Sequence, residues 1–304
     1  MSYHIVHIGS PTVRLTCRNG QFTCKTEEGE KSLPMEDIAA VVVTSFSADI
    51  HSEVFLQAAE KGVAFIYCRN FKPVSIVLPA NRSTDTQLTR AVLNLSPRLR
   101  DQLWAKTVEA KCCNQYALAE YIRPNDEKLG ALLSKALGRS PNKEAGCSRY
   151  FWRIFGEALG DIDFVRGRDA GGMNCFLNFG YAILLSLVLR NLYAVGLDPT
   201  FGIFHMPRER AAPLAYDLME PFRPCVDARV CEWVKNHPDH RGEVSAEFKK
   251  WMIPLTESKI MYEKHQLTVR AAIERSVRSF RSSVLSAKAD TYKPWTLKNS
   301  KWAG

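Results

Sequence analysis

The chain has 304 residues, a formal net charge of +9 and nine cysteines. Its length is sufficient to bury a full hydrophobic core and predicts two domains. The odd cysteine count and the lack of a C-x-x-C pair argue against a disulfide scaffold or a zinc site, and favour reduced thiols in a cytoplasmic protein. The longest apolar run, residues 181–189, is too short to cross a bilayer, so we expect a buried helix and no membrane partner.

The positive charge is concentrated in one part of the chain. The first 85 residues carry eight basic and nine acidic side chains, so the whole excess lies beyond them. A basic surface there would attract phosphate backbones regardless of sequence. Judged by charge alone, DNA binding is no better supported than a basic helical surface that serves only solubility.

The N-terminal part has the pattern of strands. Two alternating segments flank Arg18-Asn19-Gly20, and an Asn-Gly pair in that position is a strong hairpin signal. Residues 52–61 before Gly62 predict a short helix. Further apolar segments predict strands at residues 38–43, 63–68 and 74–78. We therefore predict a β-rich domain at residues 1–80 and a polar linker at residues 81–92.

Helical patterns dominate the rest of the chain. Apolar residues recur at helical spacing from Gln102 onward, around residues 145–159 and over residues 175–192. This predicts a helical domain at residues 93–286. The loop at residues 166–172 could follow a DNA backbone or simply connect two helices. Residues 287–304 combine lysines with two tryptophans, which predicts a basic tail that either stays mobile or docks on DNA or protein.

Three separate segments each place a metal-capable side chain among apolar neighbours: Glu144, His205 and Asp217. Two carboxylates and an imidazole can hold a divalent cation with coordination positions open, as a phosphodiester enzyme requires. Taken singly, each has a simpler explanation, since such a Glu is usually solvated and such a His is usually hydrogen-bonded. Glu220 follows Asp217 by three residues on the same helix face, so it is a candidate supporting or second-metal carboxylate.

His205 and Asp217 cannot lie on one straight helix and share an ion. Twelve residues of helix would separate them by about 18 Å. Pro207 and Pro213 lie between them and predict a turn, with a new helix starting near Pro213. Asp217 would then be folded back towards His205.

Together these segments resemble the signature blocks of the CRISPR-associated integrase/endonuclease family, in its type II-like branch. The blocks are residues 143–152 around Glu144, residues 196–205 ending at His205, and residues 214–224 around Asp217. Asn178 and Tyr181 match the helix that the family places between the first two blocks. Cys147 departs from the small Ala-type residues that the family more often has there.

The resemblance implies an α+β protein with a small N-terminal β-sandwich-like dimerisation domain and a larger all-helical catalytic domain. Glu144, His205 and Asp217 would hold Mg²⁺ or Mn²⁺, with manganese somewhat favoured by the imidazole. The nucleophile would be the 3′-hydroxyl of a double-stranded spacer precursor, and the target a phosphodiester at the edge of a CRISPR repeat. The implied partners are a second copy of the chain and a small dimeric CRISPR adaptation protein.

Four residues are candidates for binding nucleic acid: Arg149, Arg223, Asn178 and Tyr181. Structural ion pairs are an equally good explanation for the two arginines. Two rival functions also remain at this point. In one, water replaces the hydroxyl at the same metal and the protein is a hydrolytic nuclease. In the other, the protein is a non-catalytic DNA-binding scaffold.

Overall fold

The computed structural model describes residues 4–69, 72–77, 86–138, 142–167, 171–205, 212–239, 242–298 and 300–302. The fold is α+β, as expected, with N-terminal sheets followed by a helical region. Three predicted features lie partly outside the described residues: residues 81–85 of the linker at 81–92, residues 168–170 of the loop at 166–172, and residues 206–211 of the turn between His205 and Pro213.

The N-terminal domain contains two four-stranded sheets, with strand orders β4-β3-β2-β6 and β1-β5-β7-β8. The predicted hairpin is confirmed, because Asn19 and Gly20 have φ angles of +50° and +74° and Arg18 pairs with Gln21. The elements are β1 (His4–Ile8), β2 (Thr12–Arg18), β3 (Gln21–Thr26), β4 (Gly29–Pro34), β5 (Ile38–Val43), β6 (Ser47–Ile50), α1 (Ser52–Lys61), β7 (Ala64–Arg69) and β8 (Lys72–Val77).

Strand β5 is apolar throughout because both of its faces are covered. Val41 and Val43 pack into the core shared with the other sheet and α1, whereas Val42 packs into the core of the helical domain. The Arg190 side chain also donates a hydrogen bond to the carbonyl of Ile38 at 2.6 Å. The sheet domain is therefore joined to the helical domain through a buried face.

The helical domain surrounds one apolar helix, α6, whose 18-residue hydrophobic window is 83% buried. That helix is long and apolar enough to cross a membrane, but its burial is that of a core helix, as predicted for residues 181–189. The remaining elements are α2 (Thr86–Leu93), α3 (Pro97–Ile122), α4 (Leu129–Leu137), α5 (Lys143–Ala158), α6 (Met173–Ala194), α7 (Pro213–Met219), α8 (Arg223–Asn236), α9 (Ala246–Met252), β9 (Lys259–Tyr262), β10 (His265–Thr268) and α10 (Val269–Ser286).

The segment after α10 packs on the helical domain instead of forming a separate tail. Tyr292, Trp295 and Leu297 are buried. The Leu297 N–H donates to Asn114 Oδ1 on α3 at 2.6 Å, and the Asn114 side-chain amide donates to the carbonyls of Trp295 and Pro221. The sequence predicted either a mobile tail or docking through the aromatic residues. Residues 288–298 dock through their aromatic residues, and they dock on the chain itself.

Candidate active site

A buried carboxylate, Asp217, fixes the turn that carries His205. Asp217 lies on α7 and is fully buried. Its Oδ2 accepts hydrogen bonds from the backbone N–H groups of Ile203 and Phe204 at 2.7 and 3.0 Å. Its Oδ1 accepts one from the backbone N–H of His205 at 3.2 Å. Three backbone donors therefore hold this carboxylate in one orientation.

Gly202 makes this close approach possible. A Cβ atom at that position would lie 2.5 Å from the carbonyl oxygen of His205 and 3.0 Å from Asp217 Oδ2. Any larger residue would push the turn away from the carboxylate. The glycine in the second signature block thus has a steric explanation.

The imidazole of His205 is oriented by the same carboxylate. Its Nδ1 lies 2.6 Å from Asp217 Oδ1, so it donates to the carboxylate and leaves Nε2 for another partner. Burial lowers the pKa of His205, but the hydrogen bond to Asp217 and the negative charge of Asp217 outweigh burial and raise the pKa above its ordinary value. The ring lines the site cavity.

Two glutamates of the site share one lysine. The Lys111 ammonium lies 2.6 Å from Glu144 Oε1 and 2.7 Å from Glu220 Oε2. Glu144 is in the first turn of α5, Lys111 is in the middle of α3, and Glu220 opens a 3₁₀ turn directly after α7. Two segments that are distant in the chain thus meet at the ammonium group of a third.

Charge balance keeps these buried groups ionised. Burial alone would raise the pKa of Glu220, but Arg223 and Lys111 lower it to about 2. The Arg223 Nε lies 2.9 Å from Glu220 Oε1. Burial lowers the pKa of Lys111, but the charges of Glu220 and Glu144 outweigh burial and raise it. Glu220 is therefore a carboxylate at neutral pH, held between two cations.

These groups line one cavity of about 280 Å³. Glu144, His205 and Glu220 all contribute to its wall, and so do the cationic side chains of Lys111, Arg166 and Arg223. Asp217 lies behind His205, with none of its surface exposed. Of the three predicted ligands, Glu144 and His205 line the cavity and Asp217 does not, while Glu220, the candidate supporting or second-metal carboxylate, lines it too.

The donor set suits a divalent cation. In the described part of the chain, no three His, Cys, Asp or Glu side chains stand close enough to share an ion in the arrangement shown. Lys111 explains this, because its ammonium fills the space between the two carboxylates. Two carboxylates and an imidazole Nε2 are donors that fit Mg²⁺ or Mn²⁺ once a metal takes that place.

The candidate nucleic-acid residues fall into different environments. Arg149 is exposed on α5. The Arg223 guanidinium lies 4.4 Å from the centre of the Tyr181 ring, and the Tyr181 hydroxyl donates to Asp227 Oδ1 at 2.5 Å. Asn178 Oδ1 accepts from Arg166 at 2.8 Å. The two explanations for Arg223 were nucleic-acid binding and a structural ion pair. Arg223 forms an ion pair with Glu220, and it also lines the cavity.

Sequence reasoning missed two charged side chains of this cavity, Lys111 and Asp227, and considered Arg166 only as part of the loop at residues 166–172. Burial raises the pKa of Asp227 to about 7, although its bond from Tyr181 and the charges of Arg223 and Arg166 oppose the increase. One signal for Lys111 was available, since it is the single charge in the run Ala110-Lys111-Cys112-Cys113. A lone lysine among small buried residues requires a partner.

Comparison with known families identifies the chain. The model of the CRISPR associated protein Cas1 family matches residues 6–245, which span the sheet domain and all three signature blocks. The chain belongs to the Cas1 family. Its similarity to a CRISPR-associated endonuclease Cas1 from Neisseria meningitidis is 30% identity over 92% of each chain. A Cas1 endonuclease from Francisella tularensis subsp. novicida is 24% identical over 94% of this chain and 96% of its own.

Solved structures share the Cas1 fold. A casposase bound to integration product superposes with a TM-score of 0.79 at 20% identity, covering all of this chain and 95% of its own. A Cas1 protein from Thermotoga maritima superposes with a TM-score of 0.74 at 17% identity, covering 93% and 97%. Both cover the sheet domain and the helical domain together. The expected combination of the two domains in one chain is thereby confirmed.

Proposed function

We propose that this Cas1 protein is a metal-dependent integrase of CRISPR spacer acquisition, which joins the 3′-hydroxyl ends of spacer-precursor DNA to a CRISPR repeat. The observation that carries the proposal is the cavity where Glu144, Glu220 and His205 converge beside Arg166 and Arg223. Carboxylates for a cation and guanidinium groups for phosphates are the components that phosphoryl transfer requires.

In this proposal, Glu144, Glu220 and His205 hold Mg²⁺ or Mn²⁺, and Asp217 orients His205. The metal, when bound, would activate the attacking hydroxyl and neutralise charge on the phosphoryl oxygens. This differs from the expectation that Asp217 is itself a ligand. The support for the change is that Asp217 would have to give up backbone hydrogen bonds to reach a cation, whereas Glu220 already faces one.

The chain's own residues then divide the work of strand transfer. Asp217 keeps the Nε2 of His205 directed at the cavity, and Arg166 and Arg223 attract the phosphate backbone. The 3′-oxygen of the precursor forms a new bond to the phosphorus at the repeat edge as the bond from that phosphorus to the 3′-oxygen of the flanking nucleotide breaks. The departing oxygen takes up a proton, and the attacking hydroxyl releases one.

The proposed partners are duplex DNA, a second copy of the chain bound through the sheet domain, and a small dimeric adaptation protein. Known structures of the same fold support the DNA and the adaptation protein in this set. One is a Cas1–DNA complex with a TM-score of 0.56 at 15% identity. Another is a chain of a Cas6-RT-Cas1–Cas2 complex with a TM-score of 0.75 at 13% identity, of which this chain covers 36%.

A strand-joining assay tests the proposal. The protein, its adaptation partner and Mn²⁺ are mixed with a short duplex and a supercoiled plasmid that carries a CRISPR repeat. We expect covalent joining of the duplex 3′ end to the plasmid, and no joining when that end is a dideoxynucleotide, because the attacking oxygen is then missing.

The same assay distinguishes the rival functions. Equal nicking of the plasmid with hydroxyl and dideoxy ends, without joined product, would replace the integrase with a hydrolytic nuclease. Metal-independent DNA binding without nicking or joining would instead support a scaffold. Only dideoxy-sensitive joining supports the integrase.

A further inference from the structure

An aromatic pair lies at the edge of the site and has no role in the chemistry described above. The Phe204 and Trp104 rings are stacked, with centroids 4.2 Å apart and planes 3° from parallel. Phe204 is 51% exposed. Because Trp104 covers one face of the Phe204 ring, the exposed surface belongs to the other face and the edge. We refer to Phe204 and Trp104 as the aromatic platform.

The platform is held rigidly beside the site. The Phe204 N–H donates to Asp217 Oδ2, in the same set of bonds that orients His205. The Phe204 and His205 rings are 5.5 Å apart in an edge-to-face arrangement. Trp104 projects from α3, the helix that also carries Lys111. An exposed apolar face is thus fixed relative to the imidazole before any ligand binds.

We propose that the aromatic platform stacks the unpaired base of the terminal nucleotide whose 3′-hydroxyl reacts at this site, an inference that rests on the proposed integrase function. A base lying on the open face of Phe204 would be about 3.5 Å from the ring, at van der Waals contact. The sugar of that nucleotide would then lie close to His205, whose ring is adjacent to Phe204. The platform would therefore hold the terminal nucleotide next to His205, which lines the cavity.

The surroundings favour a nucleobase over an apolar side chain of a partner protein. The platform lies beside a cavity lined by charged groups, and within the described residues 198–205 only Phe201 and Phe204 expose a large hydrophobic side chain, which is less than the broad apolar patch that protein interfaces use. The Arg100 guanidinium lies 3.4 Å from the Gly202 carbonyl, which places a positive charge in the same loop region. An aromatic face next to a cation is the arrangement that binds single-stranded nucleic acid.

An equilibrium measurement tests stacking without relying on catalysis. A duplex with a short unpaired 3′ end carries 2-aminopurine as its last base, and its fluorescence is recorded with wild-type protein in EDTA. We expect quenching by the wild-type protein and by Phe204→Tyr, because both keep an aromatic ring. Phe204→Leu, which keeps apolar volume without a ring face, should lose most of the quenching.

A substrate change then links stacking to the reaction. With wild-type protein, replacing the terminal base by an abasic residue that retains its 3′-hydroxyl should slow joining by about 5- to 150-fold, the range for one base–aromatic stack. In Phe204→Leu, the normal and abasic ends should react at nearly the same reduced rate. That loss of coupling is the signature of a direct contact.

Phe201→Leu is the matched control, because Phe201 lies in the same loop and is 39% exposed. It should retain both the quenching and the sensitivity to the abasic end. The proposal is overturned if wild-type protein joins normal and abasic ends equally fast, or if Phe204→Leu remains as sensitive to the missing base as wild type. Absence of joining with every DNA end, combined with Phe204-dependent quenching, would refute the integrase function and leave the stacking site standing.

Discussion

The two sides of the cavity hold their carboxylates in opposite ways. On the side that we call the fixed half, Asp217 accepts hydrogen bonds from three backbone N–H groups and from the His205 ring. On the side that we call the ion-paired half, Glu144 and Glu220 are joined only through a flexible lysine side chain, Lys111, apart from the Arg223 contact to Glu220. All three carboxylates lie in the signature blocks. The two glutamates can exchange their partner easily, whereas Asp217 cannot.

This difference suggests separate roles for the two halves: the fixed half orients His205, and the ion-paired half supplies the proposed metal ligands. Moving Asp217 would leave buried N–H groups without acceptors, at a cost of roughly 1–3 kcal/mol each. Exchanging the Lys111 ammonium for a divalent cation leaves the two glutamates paired throughout. We therefore expect changes in the ion-paired half to affect metal and chemistry most, and changes in the fixed half to act through His205.

The largest effect should come from the ion-paired half. Glu144→Gln or Glu220→Gln should lower Mn²⁺-dependent joining by at least about 1,000-fold, because each removes a proposed ligand and a metal contributes several kcal/mol to such a reaction. Duplex binding, measured by fluorescence anisotropy, should change little.

Glu109→Gln is a suitable control, since Glu109 lies on α3, the helix of Lys111, but pairs with Lys298 outside the cavity. It should join DNA at a nearly normal rate. Near-normal turnover of Glu220→Gln at saturating metal would remove Glu220 from the ligand set and return Asp217 to consideration.

The next largest effect should be on stability. Lys111→Met leaves Glu144 and Glu220 without their shared cation, which should cost roughly 3 kcal/mol, the lower range for breaking a buried pair, because Glu144 is partly exposed. The loss should be seen in EDTA as a lower melting temperature. Mn²⁺ should then stabilise Lys111→Met more than it stabilises wild type, because the metal no longer competes with an ammonium group.

Lys106→Met provides the comparison, since Lys106 is one and a half turns away on the same helix and lines no part of the cavity. Its melting temperature should respond to Mn²⁺ as that of wild type does. If Mn²⁺ raised the melting temperature of Lys111→Met no more than that of wild type, the cation would not bind between these two glutamates.

The fold and the fixed half could be predicted from the sequence because their signals are local. The Asn19-Gly20 hairpin and the apolar helix around residues 181–189 follow from turn chemistry and periodicity. The fold-back of Asp217 towards His205 was predicted from their separation, from Pro207 and Pro213 between them, and from the hypothesis that the two share an ion. These inferences concern residues close together in the chain.

The ion-paired half could not be predicted in the same way, because it joins segments that are far apart. Lys111 and Glu144 are 33 residues apart and meet only through packing of α3 on α5. Helical spacing suggested that Asp217 and Glu220 act together on one face. In the structure α7 ends at Met219 and a 3₁₀ turn begins at Glu220, whose carboxylate contacts Lys111. Such a change of helix type leaves little trace in a sequence.

In the fixed half, Asp217→Asn should have an intermediate effect. The amide nitrogen would face a backbone N–H or the imidazole N–H, so the turn at Ile203 and His205 should lose part of its hydrogen bonding. We expect Mn²⁺ affinity and joining to fall by about 10- to 100-fold, as is typical when the partner of a metal-binding histidine is changed. Mn²⁺ titration followed by electron paramagnetic resonance measures the affinity directly.

Asp126→Asn tests whether any buried carboxylate would give this result. Asp126 is 1% exposed, accepts a backbone N–H from Lys128 and pairs with Arg123 outside the cavity. It should lower the melting temperature without changing Mn²⁺ affinity. Equal Mn²⁺ affinities for Asp217→Asn and wild type would show that His205 needs no orientation by Asp217.

The smallest effect, and the finest test of the comparison, is the pH dependence set by His205. Its pKa lies above the ordinary 6.5 because Asp217 stabilises the imidazolium more than burial opposes it. The folded protein therefore holds an extra proton between the ordinary pKa and the raised one. The stability from this pair is complete below about pH 6.5 and is lost as pH rises through the raised pKa.

Metal binding should have the opposite dependence, because a protonated Nε2 cannot coordinate a cation. Mn²⁺ affinity should fall as pH decreases through the raised pKa, with a midpoint above 6.5. In Asp217→Asn, the midpoint should move down, since burial then acts without the neighbouring charge. Electron paramagnetic resonance titrations at several pH values provide the midpoints. An identical midpoint in both proteins would mean that the fixed half does not set the proton affinity of His205, and the division between orientation and ligation would fail on this side of the cavity.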